Sequence, residues 1–410
     1  MRESLPAHYV GLDIGTSTVR CVVGVVDGND STQLSVIGHG SAPNLGMRKG
    51  VIVHSEDVVE AISQAVSDAE RLAGIHIQRA TININGANVV GMNSKGVIAI
   101  STANREITSE DRLRVEREAT IVQLPPNREI VQVFAKNYRL DGQENIKDPV
   151  GMQGVRLEVD THIVTAATPN LRSLASVLEK ANINIAHHTV SGVASAEAVL
   201  NRQQKESGTL LLDIGAGTTN VVVIEDGEVQ HIAVLPIGGI NITNDLAIGL
   251  KTDLDIAEIV KIQHASLEEN SSFDNSISVT FNNKEYKFDT REIRMITEAR
   301  VEELLEYVDK ELKKIHRSRK LPGGVVLVGG TSKLPGIADF TRDKLELAAR
   351  LGTLQSIGGL VDTVQDPAFT TAVGLMVLDV LLIPSHNLQK GQPNTNAFGL
   401  IESLFKWIKR

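Results

Sequence analysis

Leu12-Asp13-Ile14-Gly15-Thr16-Ser17-Thr18 returns as Leu212-Asp213-Ile214-Gly215-Ala216-Gly217-Thr218-Thr219, a shift of 200 residues. At that shift Leu12, Asp13, Ile14, Gly15, Thr18, Val22 and Val23 meet identical residues at Leu212, Asp213, Ile214, Gly215, Thr218, Val222 and Val223. Each copy leaves one apolar strand and enters another, so each predicts a tight strand-to-strand turn. Glycine permits such a turn and lets backbone N–H groups approach an anion, while the hydroxyls of Thr16, Ser17, Thr18, Thr218 and Thr219 add donors. A carboxylate beside the turn repels a bare phosphate. Asp13 and Asp213 are therefore assigned to a magnesium ion, reached through water because Mg²⁺ keeps much of its hydration shell. The plain alternative is two β-hairpins whose Asp and Gly residues only turn the chain, and two copies in register weigh against it. A chain that makes this turn twice is expected to grip one phosphate tail from two sides.

A third glycine element, Val325-Val326-Leu327-Val328-Gly329-Gly330-Thr331-Ser332, reads as a buried strand running into a turn, followed by Pro335-Gly336 and a helical stretch from Ile337. Such a turn lets a base or ribose lie against bare backbone, so Gly329, Gly330 and Thr331 form the expected adenosine side. Composition fits a soluble multidomain protein: 410 residues leave room for two to four domains, and 42% hydrophobic residues can fill their cores. Cys21 is the only cysteine, which excludes an intrachain disulfide. A net charge of −9 argues against broad nucleic-acid binding. The first residues lack the apolar core of a signal peptide.

The three elements, in this order, resemble the phosphate-1, phosphate-2 and adenosine motifs of the superfamily of actin, heat-shock chaperones and sugar kinases. The resemblance implies an α/β, actin-like fold of two related domains closing on ATP and Mg²⁺. It makes Thr189 to Leu200 a first connecting helix and Thr371 to Leu378 a second, with small residues that let the two cross closely. It also assigns Gly238 to the nucleotide and places Glu258 and Lys261 on a helix that carries ribose contacts. Their plain alternative is a surface ion pair three residues apart.

The last thirteen residues differ from the rest. At about 100° per residue, Phe398, Leu400, Ile401, Leu404, Phe405, Trp407 and Ile408 fill one half-circle, and Glu402, Ser403, Lys406, Lys409 and Arg410 fill the other. This pattern predicts a helix lying in the interface of anionic membrane lipid, behind a polar linker; docking on the protein itself or on a partner is the alternative. One such helix binds weakly, and many copies on a polymer bind far better.

With this tail, the chain resembles the FtsA family of bacterial cell-division proteins over nearly its whole length. Further family-like stretches are Gly46-Met47-Arg48-Lys49-Gly50 and Asn145-Ile146-Lys147-Asp148-Pro149-Val150-Gly151-Met152. The resemblance implies subdomain 1A at 1–84, an inserted subdomain 1C at 85–165, subdomain 2A at 166–239 and 313–383, and 2B at 240–312. A linker at 384–396 and the membrane helix at 397–410 would follow. Within the insertion, Val97 to Ile100 reads as a strand, Ser109-Glu110-Asp111 starts a helix, and Glu129 to Tyr138 alternates. By the same resemblance the chain forms filaments with itself, binds the C-terminal tail peptide of FtsZ at Arg300, and recruits later membrane proteins of the divisome.

Two departures bear on chemistry. Thr18 stands where relatives commonly have lysine, which predicts one positive charge fewer at the nucleotide. Ser191 stands where actin orients the attacking water with a longer polar side chain, which predicts slow ATP hydrolysis at most and no catalytic residue. The alternative assignments are a PilM-like assembly protein of a pilus or secretion machine, which needs no lipid helix of its own, and a sugar or acetate kinase, for which no strong catalytic acid is visible.

Overall fold

The computed structural model describes residues 8–26, 34–101, 104–268, 276–355 and 357–382. The expected linker and membrane helix, including Phe398 to Arg410, lie outside these residues. The chain opens with a meander of β1 (His8–Ile14), β2 (Thr18–Val26) and β3 (Leu34–Pro43), followed by short β4 (Met47–Arg48) and β5 (Val51–Ile52). Helix α1 (Ser55–Ala73) turns Val58, Ala61, Ile62, Ala65, Val66 and Ala69 inward at helical spacing, carries Glu56 and Asp57 in its first turn, and stops at left-handed Gly74. It lies hard on β3 because Gly40 has no side chain; a Cβ there would stand 2.0 Å from the Ala65 carbonyl oxygen. Strand β6 (Arg79–Ile84) then pairs parallel with β1.

The insertion follows: β7 (Val90–Ala99), α2 (Ser109–Ala119), β8 (Arg128–Leu140), β9 (Gln143–Ile146) and β10 (Arg156–Ala167). Strand β10 lies antiparallel between β7 and β8, and α2 covers one face, with Ile107, Val115, Tyr138, Leu157 and Val159 in the core. The strand expected at Val97 to Ile100 is the end of the longer β7. Thr108 caps α2: its hydroxyl accepts from the Asp111 N–H, and the Asp111 carboxylate accepts from the Thr108 N–H.

Helix α3 (Thr168–Lys180) and β11 (Asn184–Val190) return to the first sheet, where β11 pairs parallel with β6 from Asn184↔Arg79 to Val190↔Ile84. This corrects the expected boundary at 166: residues 168–190 complete the first half. Helices α4 (Ser191–Val199) and α5 (Arg202–Ser207) lead to a second meander of β12 (Thr209–Ile214), β13 (Thr219–Glu225) and β14 (Glu228–Leu235). Next come α6 (Gly239–Gly249), α7 (Leu254–His264), the hairpin β15 (Ser276–Phe281) and β16 (Lys284–Asp289), and α8 (Thr290–Lys314). Strand β17 (Gly324–Val328), α9 (Ile337–Leu345) and β18 (Ala349–Leu351) finish the second sheet. The chain then re-enters the first sheet as β19 (Ile357–Gly359), earlier than the expected return at 371, because β19 pairs parallel with β3. Helices α10 (Val361–Val364) and α11 (Thr370–Leu381) close the described part.

The sequence duplication is thus a structural one. Among the described residues, β3-β2-β1-β6-β11 in one sheet and β14-β13-β12-β17-β18 in the other have the same order and directions. The second sheet continues through a single pairing, Ala233↔Val90, into the inserted strands. Helices α4 and α11 cross between the halves at Gly374, where a Cβ would lie 1.8 Å from the Ala194 carbonyl oxygen. Gly11 gives α11 the same close approach to β1, with Ala372 O 2.0 Å from its virtual Cβ.

Candidate functional site: a nucleotide cleft

The β1–β2 and β12–β13 turns face each other across a cavity of about 360 Å³ between the halves. Gly15, Thr16, Ser17 and Thr18 line one wall, and Gly215, Ala216 and Thr218 line the other. The two turns touch, since a Cβ on Gly217 would stand 2.8 Å from the Thr16 side chain. The third glycine turn joins them: Thr331 Oγ1 donates to the Gly215 carbonyl at 2.9 Å, and Gly329, at φ 87°, leaves no room for a Cβ, which would be 2.5 Å from Asp213 Oδ1. The N-terminal end of α6, at Gly239, also opens on the cavity, which suits an anion. Ile242, Ile262 and Leu334 add apolar surface.

Asp13 and Asp213 sit at the ends of β1 and β12, 8% and 6% exposed. Burial raises both carboxyls; that of Asp13 goes to about 7, with Arg20 opposing the shift and Asp213 adding to it. Asn83 Nδ2 donates to Asp13 Oδ1 at 2.6 Å and to Ser191 Oγ at 3.0 Å. Ser195 and Thr371 hydroxyls each donate to Asp213 Oδ2 at 3.1 Å. Two buried carboxylates with few charge partners, beside the buried Asn220 Oδ1 that no described group donates to, form an all-oxygen set suited to a hard divalent cation. The residues therefore fit Mg²⁺.

Several expected residues are placed differently. Glu258 and Lys261 both line the cavity, as expected, and also pair with each other, Lys261 Nζ donating to Glu258 Oε2 at 2.6 Å. Gly217 packs behind the first turn, and Gly238 packs on the Gly215 and Ala216 carbonyls; neither lines the cavity. Thr219 is fully buried and its hydroxyl donates to the Ile237 carbonyl, because the strand's alternation turns it into the core. Arg300 lies away from the cavity on α8, between Asp245 of α6 and Glu303, and is bonded to both.

A cationic side chain does line the cavity close to Thr18. Arg20, paired with Asp13 across the β1–β2 hairpin, lines the cavity with a buried Nε that has no hydrogen-bond partner among the described residues. Its signal was strand periodicity: residues 18 and 20 share a face of β2, so Arg20 stands one repeat beyond Thr18. Lys333 and Asn85 also line the cavity without a motif to announce them.

Two homologous α/β halves, joined by crossing helices and closed on a turn-lined cleft, define the chain as an actin-like protein. The fold is that of the PilM–PilN type IV pilus biogenesis complex, with TM-score 0.65 and 18% identity over 92% of this chain and 99% of the other. An MreB of Spiroplasma citri bound to ADP aligns with TM-score 0.52 and 13% identity, covering 90% and 95% of the two chains. These likenesses are of fold. Sequence decides the family: the model "Cell division protein FtsA" matches residues 210–374, and "SHS2 domain inserted in FTSA" matches 86–165. Cell division protein FtsA of Bacillus subtilis is 38% identical over 90% of this chain and 82% of its own length, and that of Neisseria meningitidis 33% identical over 97% of both. The chain belongs to the FtsA family of cell division proteins, which sets aside the PilM-like and kinase alternatives.

Proposed function

We propose that the chain binds ATP with Mg²⁺ in the cleft, forms filaments with itself, and tethers FtsZ filaments to the cytoplasmic face of the membrane at the division site. The observation that carries the nucleotide reading is the convergence of two phosphate turns, two buried carboxylates and a third glycine turn on one cavity. Hydroxyls of Thr16, Ser17, Thr18 and Thr218, with Arg20, bind the phosphate tail. Asp13 and Asp213 accept hydrogen bonds from the water shell of the metal, which in turn would neutralise phosphate charge. Glu258 and Lys261 hold the ribose side, and Gly329, Gly330 and Thr331 bring backbone against the base. Ser191 Oγ is held by Asn83 and is too short to orient water, so hydrolysis is slow at most and the nucleotide acts as an assembly ligand.

The acidic tail peptide of FtsZ is assigned to the α6–α8 face around Arg300, beside the exposed Ile248 and Met295. Since Asp245 and Glu303 already hold the guanidinium, charge there directs the peptide while the apolar neighbours supply area. Residues 397–410 form the lipid anchor, and the inserted subdomain serves contacts with later divisome proteins. Among the described residues no helix is long and apolar enough to cross a membrane.

The test is cosedimentation with anionic liposomes, with and without ATP and Mg²⁺, of the intact chain and of one ending before Phe398. Binding that vanishes on truncation, with nucleotide-dependent filaments on the lipid, is expected. Equal binding by both chains removes the tail as anchor.

A further inference from the structure

We infer that Asn85 is a positioning residue that carries the state of the second phosphate turn into the inserted subdomain; the inference rests on the nucleotide reading above. Asn85 is the first residue after β6, at the root of the insertion. Its Nδ2 donates to Thr218 Oγ1 at 3.2 Å, and its Oδ1 accepts from the Gly86 N–H at 2.7 Å, so the amide is fixed at both ends. Thr218 thereby keeps its own hydroxyl proton free for a phosphate oxygen. A phosphate accepting that proton polarises the hydroxyl and strengthens the bond from Asn85; its departure weakens it.

The first phosphate turn reaches the same point. Gly50 N–H donates to Thr16 Oγ1 at 3.1 Å, and the Gly50 and Gly86 backbones touch, both at positive φ (74° and 113°). A Cβ on Gly50 would lie 2.4 Å from Gly86 Cα, so movement of one backbone is felt directly by the other. Two residues further on, the Asn88 carbonyl accepts from Arg128 Nη2 at 2.9 Å, and the same nitrogen donates to the Thr165 carbonyl at 2.9 Å. Asn88 Oδ1 accepts from the Ala167 N–H at 3.3 Å. The strands entering and leaving the insertion are thus fastened together one step from Asn85. Beneath them lies a cavity of about 30 Å³ in which Asn83, Asn85 and Asn88 meet the apolar side chains of Ile14, Ile52 and Leu171, large enough for about one or two waters.

The experiment is amide hydrogen exchange of β7 and β10, with and without saturating ATP and Mg²⁺, in the intact protein, Asn85→Ala and Arg128→Lys, alongside equilibrium dialysis of ATP. The intact protein is expected to show at least roughly tenfold slower exchange in these strands with nucleotide. Asn85→Ala brings that ratio below about twofold at saturation. Arg128→Lys, which keeps the charge but loses the fork that grips both strands, does the same with ATP affinity unchanged. A full nucleotide effect in both variants overturns the inference, as does an intact protein that binds ATP without protecting these strands. Absence of ATP binding by the intact protein would refute the nucleotide reading itself and the inference with it.

Discussion

Gly374→Ala sets helix propensity against packing, and the structure decides the sign. In an isolated helix alanine is favoured over glycine by about 1 kcal/mol. Here the new Cβ would sit 1.8 Å from the Ala194 carbonyl oxygen and 2.4 Å from its carbonyl carbon. Both obstacles are backbone, so no neighbouring rotamer can yield, and α4 and α11 must separate by roughly 1.5 Å to restore van der Waals distance. Overpacking of this kind costs about 1–3 kcal/mol, and the separation also loosens contacts of buried Val193, Ala372 and Leu375. The net expectation is destabilisation by about 2 kcal/mol. With a urea dependence near 3 kcal/mol per molar, the unfolding midpoint falls by roughly 0.5–0.7 M. Circular dichroism of a urea titration at fixed protein concentration measures it. A midpoint equal to or above that of the parent would show that the helices do not cross as closely as described.

Arg20→Ala removes the cation from the phosphate side and is expected to weaken ATP binding by about 10- to 100-fold, the worth of a charge-assisted hydrogen bond, in equilibrium dialysis; unchanged affinity would remove Arg20 from the site. Asp213→Asn should abolish the dependence of ATP binding on Mg²⁺, read by titrating the metal at fixed nucleotide, and a retained metal dependence would leave Asp213 without the assigned role. The third expectation concerns His162, whose Nε2 accepts from the Ile232 N–H at 3.0 Å where the insertion meets β14; its ring faces His231 of β14, Asn93 of β7 and Lys136 of β8, with Glu311 of α8 on His231. Burial, with His231 and Lys136 adding, pushes its pKa down from 6.5 to about 3. The unfolded chain therefore binds the extra proton first, and stability falls as pH drops below 6.5, by about 2–3 kcal/mol at pH 4.5. Guanidinium denaturation at pH 7 and 4.5 should show this loss reduced in His162→Gln; equal losses would place the acid-sensitive group elsewhere.

The fold was legible because the duplicated turns fix strand, turn and strand twice, and strand direction then follows from hairpin geometry. The domain edges were less so. Residues 168–190 read as the start of the second half by chain order, yet the first sheet has an open parallel edge beside β6, and β11 fills it. Nothing local in Asn184 to Val190 announces that long-range partner. Within the site, the residues of the two turns line the cavity except Gly217, which packs against Thr16. Thr219 stands one residue beyond, where the pleat points its side chain the other way.

Arg20 shows the complementary limit. A motif fixes residue type at a position, whereas the cavity requires only that a cation arrive at a place. From the turn, positions 18 and 20 are successive steps along one face of β2, and a long guanidinium stem covers the difference. The paired register Asp13↔Arg20 and its repeat Asp213↔Asn220 set one cation and one carboxamide opposite the two carboxylates. That asymmetry breaks the duplication beside the two carboxylates, where the proposed ligand, a polyphosphate, is itself asymmetric. The unpartnered Arg20 Nε and Asn220 Oδ1 are the donor and the acceptor that such a ligand and its metal shell would satisfy. If Arg20→Ala and Asn220→Ala weakened ATP and ADP by the same factor, neither would be reading the terminal phosphate; a larger loss for ATP in one of them, by dialysis of both nucleotides, locates the γ-phosphate beside it.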